Sequence, residues 1–411
     1  MSDCCSTPGL LPFERALQNM LSQIIPVTQI MNVAIEQAMN FVLAEDITSP
    51  LNVPNHDNSA MDGYAFALES LQQNKTLTLV GRSMAGAPYQ GKCNLGECIR
   101  IMTGAKMPSC CDSVEMQENV QENDDDITFL QEKKLGSHVR KAGEDIKLGQ
   151  QVLAKGHKLT AVDIGILASL GISEVNVFRK LTVALIATGD ELKLPRQTLR
   201  SGDIYESNSF VLRAMLEKLN VDVIDFGVIE DDFDAIKAAF VSADKQADAV
   251  ISSGGVSVGD ADYTKTVLDD LGEIGFWKIA MKPGKPFAFG KLPNSVFFGL
   301  PGNPVSALVT FHQLTLIALT KMQNAQPLKR TILQVKSAND LRKSPGRMDF
   351  QRGILGVNEQ GETIVSSTGT QGSGILSSLA KANCFIVLAA EQGRVAAGEI
   401  VTVQLFDEFI A

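Results

Sequence analysis

The chain has 411 residues, 45% of them hydrophobic and 20% charged, a composition typical of a globular protein with roughly two to four domains. Its formal net charge of −10 argues against nucleic acid or an anionic membrane as the main partner, because both bind basic surfaces. A few lysines gathered in one cleft can still bind an anionic small molecule.

The N-terminus lacks the basic segment and apolar stretch that mark a signal peptide. Two runs, Leu159–Ile172 and Leu181–Thr188, are the most apolar segments. Both are shorter than the roughly 18–20 residues that a membrane-spanning helix needs. We therefore expect a cytoplasmic protein.

The seven cysteines are not arranged like metal ligands. Cys110 and Cys111 are adjacent, as are the cysteines at positions 4 and 5, and four residues separate Cys93 from Cys98. No second pair stands at the spacing of a zinc ribbon. Free thiols are therefore expected, and a structural zinc site is not.

The first part of the chain predicts a mixed domain. Apolar residues fall on one face of a helix at 13–25, a second helix is predicted at 33–40, and a strand at Phe41–Ile47. A similar mixture of helix and strand patterns returns at 145–178, where Val162–Leu170 predicts another helix. We predict that residues 7–50 and 145–178 form one discontinuous domain.

Residues 51–144 predict an inserted β-rich domain. Short alternating runs separated by turn residues indicate strands at Thr76–Val80, Cys98–Met102, Val114–Met116 and Ile127–Gln131. The acidic stretch Glu118–Asp126 indicates a solvated hairpin or loop. From their composition alone, the polar loops around Asp62, Thr103 and Arg140 are predicted to be surface loops.

The clearest pattern lies between residues 179 and 327, where apolar strands alternate with helices. Strands are predicted at Leu181–Ala187, Val221–Gly227 and Ala249–Ser252, and helices at 208–219, Phe233–Ala243 and Lys265–Leu271. This alternation predicts a doubly wound parallel sheet, which binds ligands at the carboxyl ends of its strands. Ser207 or Asn208 is the expected cap of the first helix.

Residues 328–411 predict only strands, which indicates a small β-barrel or sandwich. The predicted strands are Thr331–Val335, Phe350–Leu355, Ile364–Ser367, Cys384–Leu388 and Ile400–Phe406.

The segment Ser252–Asp262 has the composition of a loop that holds an oxyanion. Adjacent glycines, Gly254 and Gly255, let the backbone turn tightly, while Ser253 and Ser257 offer hydroxyls to an anion. The next helix offers free N–H groups at its start. The alternative is an ordinary turn between a strand and a helix.

Two further loops predict parts of the same site. Lys278, Lys282 and Lys285 surround a Pro-Gly turn and suit an oxyanion, although a solvated hairpin tip would have the same composition. Farther along, Asn303 fits the N-cap of an apolar helix and Pro304 its first position. This second loop supplies Pro301, Gly302, Asn303, Pro304 and Ser306 as candidate substrate contacts.

Acidic residues on the loops suit Mg²⁺, which prefers one or two carboxylates together with substrate oxygens. Each acid alone is an ordinary surface residue. Their placement at predicted strand ends favours Glu191, Asp231 and Asp262 as metal ligands over Asp62 and Asp260.

Several long motifs occur in one order along the chain. They are DNSAMDGYA, RIMTGA, GEDI, TGDEL, SSGGVSVGDADYTK, MKPGKPFAFG, LPGNPVSA and GRMDFQRG. Together they resemble the MoeA/gephyrin family of molybdopterin molybdenumtransferases, especially its bacterial MoeA branch, from about residue 10 to residue 408.

The resemblance implies a multi-domain α/β plus β fold: a MogA-like doubly wound domain at 179–327, an N-terminal mixed domain that dimerises, an inserted β-rich domain and a C-terminal β-barrel-like domain. It implies an enzyme of molybdenum cofactor biosynthesis that inserts molybdate into adenylylated molybdopterin, with Mg²⁺-dependent release of AMP. It also implies a homodimer whose active cleft lies between the α/β domain of one subunit and the β-rich domain of the other. The molybdopterin adenylyltransferase and molybdoenzyme targets are plausible partners.

The resemblance also assigns residues to roles. Its catalytic positions are Asp62, Thr103, Glu191, Asp231, Asp262, Lys278 and Lys282. Its substrate contacts are Lys285, Pro301, Pro304, Ser306, Arg347 and Ser373, joined by Arg140 and Asp145 from the signature loops of the inserted domain.

Two other functions are alternatives. A molybdopterin adenylyltransferase would carry a GGTG-type loop where this chain has Ser253–Gly259, and it would consist of the α/β domain alone. The second alternative is a non-catalytic protein, either a scaffold or a paralogue that binds molybdopterin without turnover.

Overall fold

The structure is a computed structural model that describes residues 9–255 and 263–411. The chain folds into two compact units. The smaller unit comprises Asn32–Met39 and Leu43–Asn176, and the larger unit comprises Met1–Met31, Asn40–Val42 and Val177–Ala411.

The smaller unit is built on a six-stranded sheet. In spatial order the strands are Ser113–Met116, Gly63–Phe66, Glu97–Ile101, Thr76–Ser83, Asp126–Phe129 and Val120–Asn123. The last two form a hairpin whose turn lies in the predicted acidic segment. Alternate side chains of the second strand pack on opposite faces, Tyr64 and Phe66 on one and Ala65 on the other. All four strands predicted for this module are confirmed.

Short ladders connect residues on either side of this sheet in the sequence. Ile47–Thr48 pairs with Gln151–Leu153, and Asn58–Ser59 pairs with Val139–Arg140. Such pairing is expected of an inserted segment, although the exact domain boundaries stay a prediction. A further strand pair is Ile30–Ala34 with Glu174–Phe178. The short helices of the smaller unit are Ile35–Gln37, Leu68–Gln73, Gln117–Asn119 and Ala161–Ser169.

The helix predicted at 33–40 is wrong. The segment forms the strand Ile30–Ala34 followed by a single 3₁₀ turn, Ile35–Gln37. Its spaced apolar residues fit a helical face, but Asn40 adopts a left-handed conformation with φ of 67°. Such a conformation ends regular helical structure. The strand predicted at Phe41–Ile47 shrinks to Ile47–Thr48.

The larger unit contains a six-stranded sheet that is mixed rather than fully parallel. In spatial order its strands are Asp222–Ile229, Thr182–Thr188, Ala249–Ser253, Val296–Leu300, Pro286–Lys291 and Glu273–Lys278. The first four run parallel; three of them were predicted, and Val296–Leu300 was not. Pro286–Lys291 runs antiparallel to both of its neighbours. A short connection between Lys291 and Val296 explains the reversal, since parallel strands need a longer crossover.

Helices cover both faces of this sheet. Val183 and Leu185 pack in one core with Phe13–Gln23, Asn208–Leu219 and the helical segment after residue 303. The alternating residues Ala184 and Ile186 pack in a second core with Phe233–Gln246 and Tyr263–Leu271. The predicted doubly wound arrangement is therefore confirmed.

A continuous helical segment, Pro304–Met322, lies in the first core. It consists of Pro304–Thr310, a π-helical turn at Phe311–Thr315 and Leu316–Met322. Among the described residues this is the one helix whose length and composition would allow it to cross a membrane, but 89% of its apolar window is buried inside the protein. The apolar helix that the sequence predicts after Asn303 is therefore confirmed.

The C-terminal strands close into a five-stranded barrel, as predicted. Met348–Val357 pairs with both Thr363–Ser367 and Cys384–Leu388, so the sheet has no free edge between them. Ile332–Ser337 and Ile400–Leu405 complete the ring. A two-residue strand, Met281–Lys282, joins the barrel from outside, and a short helix, Ser377–Ala380, lies between two barrel strands in sequence.

Candidate active site

The carboxyl ends of the parallel strands meet at one edge of the central sheet. Ile229, Thr188, Ser253 and Leu300 are the last residues of neighbouring strands. Ile229 pairs with Thr188, and Ser253 pairs with Leu300 and with the residue before Thr188. The segments that follow these residues are those that the sequence singled out as ligand loops.

The glycine loop turns as predicted. Gly254 has φ of 92° and Gly255 has φ of 63°, a region that favours glycine. A Cβ atom at Gly254 would lie 2.8 Å from the carbonyl oxygen of Thr188, and one at Gly255 would collide with Thr264. Ser253 is buried at the end of its strand. Ser257, Asp260 and Asp262 lie outside the described residues.

Asn208 connects the glycine loop to the Pro-Gly loop. Its Nδ2 donates hydrogen bonds to Ser253 Oγ at 2.7 Å and to the Gly302 carbonyl at 2.8 Å. The Gly254 N–H also donates to the Leu300 carbonyl at 3.1 Å. These bonds bring Ser253, Gly254 and Gly302 together.

Of the two predicted caps, Ser207 occupies the N-cap position without a capping side-chain hydrogen bond, and Asn208 is the first residue of the helix. The helix begins at Asn208, and its free Ser209 N–H is bound by Oε1 of buried Glu206 at 2.8 Å. Because that carboxylate caps the helix, the Asn208 amide is free to bridge the loops. The second cap prediction is correct in position, since Pro304 begins its helix and Asn303 precedes it.

The acidic loops meet at the same edge. The Asp231 N–H donates to Asp190 Oδ1 at 3.0 Å, which joins the loops that carry Glu191 and Asp231. Glu191 folds back over Gly189, where a Cβ atom would lie 2.7 Å from Glu191 Oε2. Both Glu191 and Asp231 are exposed. Asp190 was not among the predicted site residues.

The lysine turn also reaches this edge. Lys278 ends one strand opposite Pro286, where the antiparallel strand starts, and both Lys278 and Lys285 are exposed. Gly284 has φ of 101°, and a Cβ atom there would collide with Thr310 of the apolar helix. This close approach fixes the turn that carries Lys282 and Lys285.

Lys282 lies against the C-terminal barrel. Its Nζ is 3.7 Å from Oδ2 of Asp349, whose side chain is only 5% exposed. Lys343 and Arg347 belong to the same group of charges, since Arg347 and Lys282 both lower the pKa of Lys343 after the larger effect of burial. Lys282 therefore faces one buried carboxylate, and Lys343 lies within electrostatic range of both Asp349 and Arg347. Lys343 and Asp349 were not predicted.

Ser373 places its loop beside the start of the apolar helix. The Val305 N–H donates to the Ser373 carbonyl at 3.0 Å. The loop is held by Arg352, buried in the barrel, which donates to Ser378 Oγ and to the Gly372 carbonyl, each at 3.0 Å. Ser306 is buried one residue beyond Val305. The predicted contacts Ser306 and Ser373 therefore lie in neighbouring segments.

The smaller unit holds the remaining predicted residues. Asp62 Oδ1 accepts hydrogen bonds from both the N–H and the hydroxyl of Thr103, each at 2.7 Å. These two bonds lower the pKa of Asp62 below its ordinary value. Arg140 is exposed on a two-residue strand, and Asp145 is exposed on the loop that follows.

Family models match three parts of the chain. A model of the MoeA N-terminal region, domains I and II, matches residues 11–171; one of a probable molybdopterin-binding domain matches 184–321; and one of the MoeA C-terminal region, domain IV, matches 334–406. A molybdopterin molybdenumtransferase from Haemophilus influenzae is 49% identical over 403 residues, which cover 98% of this chain and 100% of the relative. The chain belongs to the MoeA family.

Other relatives extend across the family. A molybdopterin molybdenumtransferase from a Nostoc species is 35% identical, with 88% of this chain and 85% of the relative covered. Gephyrin from Dictyostelium discoideum is 31% identical, with 96% of this chain but 62% of gephyrin covered.

The MoeA fold is also supported by a solved structure. The crystal structure of a molybdopterin biosynthesis MoeA protein from Pyrococcus horikoshii matches with a TM-score of 0.84 at 31% identity, covering 97% of this chain and 100% of that protein. The fold expected from the sequence motifs is therefore confirmed at the level of the whole chain.

Proposed function

We propose that this protein is a molybdopterin molybdenumtransferase that inserts molybdate into adenylylated molybdopterin and releases AMP. The observation that carries the proposal is the 49% identity to a relative of that name over nearly the full length of both chains. The loops at the carboxyl edge of the sheet supply a chemistry that suits this reaction, because both substrates are anions.

The cation group around Asp349 suits molybdate. Molybdate is a dianion, and Lys282, Lys285 and Arg347 can donate charge-assisted hydrogen bonds to its oxygens. Ser306 and Ser373, on neighbouring segments, can add neutral donors. Buried Asp349 offsets the charge of Lys282 when no substrate is bound.

The glycine loop and the Pro-Gly loop suit the phosphates of the pterin nucleotide. Ser253, Gly254 and Gly255, with Ser257 beyond the described residues, form one wall. The segment Pro301–Ser306 forms the other. Because Pro304 has no N–H and the Val305 N–H donates to the Ser373 carbonyl, the Ser306 N–H is the main-chain donor that the first turn of the apolar helix can offer to an anion. Asn208 holds both walls at a fixed separation.

The acidic loops fit Mg²⁺. Glu191 and Asp231 offer hard oxygen ligands, and within the described parts of the chain neither carboxylate is engaged in an ion pair. We assign Glu191, Asp231 and Asp262 as its ligands together with substrate oxygens. When bound, Mg²⁺ would offset charge on the phosphoanhydride that is cleaved.

The chain's own residues act by binding and orientation. We assign no nucleophilic side chain, so a molybdate oxygen or water attacks the phosphoanhydride and no covalent enzyme intermediate forms. Lys278 and Lys282 offset negative charge as AMP departs.

Asp62, Thr103, Arg140 and Asp145 complete the site from the second subunit of a homodimer in this proposal. Mixing tests that arrangement. Asp62→Asn and Asp231→Asn homodimers are each expected to be inactive. When the two variants are unfolded and refolded together, about half of the dimers are heterodimers, and each heterodimer has one site in which both residues are intact, so about a quarter of all sites in the mixture are expected to be active. No recovery despite proven heterodimers would place both residues in one subunit's site.

The cellular setting follows from the reaction. The enzyme works in the cytoplasm, receives its nucleotide substrate from a molybdopterin adenylyltransferase and passes the cofactor to molybdoenzymes. The domain division 7–50 with 145–178, 51–144, 179–327 and 328–411 remains part of this proposal.

Reconstitution of an apo-molybdoenzyme tests the function. Protein, adenylylated molybdopterin, molybdate and Mg²⁺ are expected to generate a product that activates the apo-enzyme, and omission of molybdate is expected to prevent it. Activation that requires ATP and unmodified molybdopterin would favour the adenylyltransferase alternative. Binding of the pterin nucleotide without any activation would favour a non-catalytic paralogue.

A further inference from the structure

The sheet topology of the smaller unit brings three cysteines together beside the starts of two of its strands. Strands Glu97–Ile101 and Ser113–Met116 both pair antiparallel with the strand that lies between them. Phe66 of that central strand faces Cys98 on one side and Ser113 on the other. Because the outer strands run in the same direction, the loops that lead into them meet. Cys93 lies on one loop and Cys110 and Cys111 on the other.

The three thiols are close enough to share one ion. Their sulfur atoms all lie within 4.8 Å of one another. Sγ of Cys110 and Sγ of Cys111 are 3.8 Å apart. In a tetrahedral zinc–thiolate site, Zn–S bonds of about 2.3 Å separate the sulfurs by about 3.8 Å.

The loop of Cys93 is held in place by Tyr89. The Tyr89 hydroxyl donates to the Lys92 carbonyl at 2.9 Å, next to Cys93. The ring lies against Gly81 and Gly91, where any Cβ atom would collide with it. The Tyr89 side chain therefore fixes the loop to the neighbouring strand.

The loop of the adjacent cysteines is equally constrained. The Cys111 N–H donates to the Pro108 carbonyl at 3.0 Å. Asp112 accepts hydrogen bonds from the Leu68 N–H at 3.0 Å and from the Ser113 hydroxyl at 2.8 Å. Both loops thus present their sulfurs without first having to fold around an ion, which lowers the cost of binding.

We propose that Cys93, Cys110 and Cys111 form a binding site for one thiophilic d¹⁰ cation, represented by Zn²⁺, with water in the fourth position. The ion ties the two loops together at the edge of the sheet. This site is separate from the residues assigned to molybdate insertion. It also reverses the expectation from cysteine spacing, because strand pairing joins ligands that are distant in sequence.

Zinc titration of the reduced, metal-free, full-length protein tests the site. We expect one Zn²⁺ per chain in competition with a chromophoric chelator, proton release on binding, and a thiolate-to-metal charge-transfer absorption when Cd²⁺ replaces Zn²⁺. Cys93→Ser and Cys110→Ser are each expected to weaken Zn²⁺ binding at least about tenfold, since each removes one of three protein ligands. Cys384→Ala, which alters a buried thiol of the barrel, is the matched control and is expected to bind Zn²⁺ like the wild type.

Thermal unfolding keeps the proposal testable if a variant is destabilised. Zn²⁺ is expected to raise the Tm of the wild type and of Cys384→Ala, and to leave the Tm of folded Cys93→Ser and Cys110→Ser unchanged. Absence of thiol-dependent Zn²⁺ uptake by the wild type would overturn the proposal. Equal affinity in the wild type and both serine variants would do the same.

Discussion

The Asp62 carboxylate is held by Thr103 through two hydrogen bonds of 2.7 Å, both to Oδ1. We predict that Thr103→Val, which removes the hydroxyl donor but keeps the main-chain N–H, raises the pKa of Asp62 toward its ordinary value of 3.8. Thr103→Ser is expected to keep the low pKa. Carboxyl-carbon NMR titration measures both. An identical pKa in the wild type and the valine variant would contradict the assigned hydroxyl bond.

The pH dependence of this pair has a definite sign. Because the folded-state pKa of Asp62 is lowered, its contribution to stability is present above the unfolded-state pKa and is lost as the pH falls through the folded-state pKa. Thr103→Val is therefore expected to show a smaller loss of stability than the wild type in that acidic window, after correction for their difference at neutral pH.

Asn208 is predicted to matter for the site more than for the fold. Asn208→Ala removes both bonds that join Ser253 to Gly302, so we expect kcat/KM for AMP release to fall about 10- to 100-fold through lost positioning. The matched control is Asn294→Ala, which removes the 2.8 Å bond from Asn294 Nδ2 to Asp244 Oδ2 near the start of the strand Val296–Leu300. That control is expected to lower Tm while keeping the activity of the folded enzyme. The reverse pattern would show that Asn208 is only structural.

Lys282 is predicted to bind molybdate. Lys282→Ala removes a charge-assisted donor worth about 1.5–3 kcal/mol, so we expect KM for molybdate to rise about 10- to 100-fold. Affinity for the pterin nucleotide is expected to change much less. Lys291→Ala, at the far end of the strand Pro286–Lys291, is the control for loss of one lysine near this sheet. An unchanged KM for molybdate would leave Lys282 as a partner of Asp349 alone.

His312 is predicted to make the free energy of unfolding depend on pH. Arg330 donates to the side-chain oxygen of Gln313 at 2.5 Å, which leaves the Gln313 Nε2 group as the donor to His312 Nδ1 at 3.1 Å. Because Nδ1 accepts this hydrogen bond, the proton of the neutral imidazole is on Nε2, which donates to Asp407 at 2.8 Å. Burial lowers the pKa of His312 below its ordinary value of 6.5, which outweighs the opposing effect of Asp407.

The unfolded chain therefore binds a proton at His312 at a higher pH than the folded chain does. The free energy of unfolding is expected to fall as the pH drops from about 7.5 to 5.5, by at most about 1.4 kcal/mol per pH unit from this residue. Chemical denaturation at several pH values measures that slope. His312→Asn is expected to be less stable than the wild type, and its free energy of unfolding is expected to change less with pH. His138→Gln, a substitution in the other unit, is the control and is expected to keep the wild-type slope. Equal slopes in the wild type and His312→Asn would refute this assignment.

Local sequence patterns predicted those elements whose buried and exposed residues follow a single helical or strand pattern. Thr182–Thr188 is apolar throughout because helices cover both faces of the sheet, and the glycines at 254 and 255 occupy backbone conformations that few other residues tolerate. The helix predicted at 33–40 was wrong because the apolar residues of that segment fit a helix as well as a strand with a turn. Only strand pairing decides between these two structures.

Long-range pairing also explains which site residues the sequence missed. Asn208 bridges two loops because Glu206 takes over the cap of its helix, and no local motif distinguishes the two residues. Asp349 meets Lys282 because Met281–Lys282 pairs with the barrel strand Met348–Val357. Their separation in the sequence hides that contact.

The most direct test of the central claim is AMP release by the purified protein. Adenylylated molybdopterin and Mg²⁺ are supplied with and without molybdate, and AMP and molybdenum-loaded molybdopterin are quantified together. We predict molybdate-dependent release of AMP in equal amount to the molybdenum-loaded product. Absence of AMP release, or release at the same rate without molybdate and without molybdenum insertion, would contradict the account.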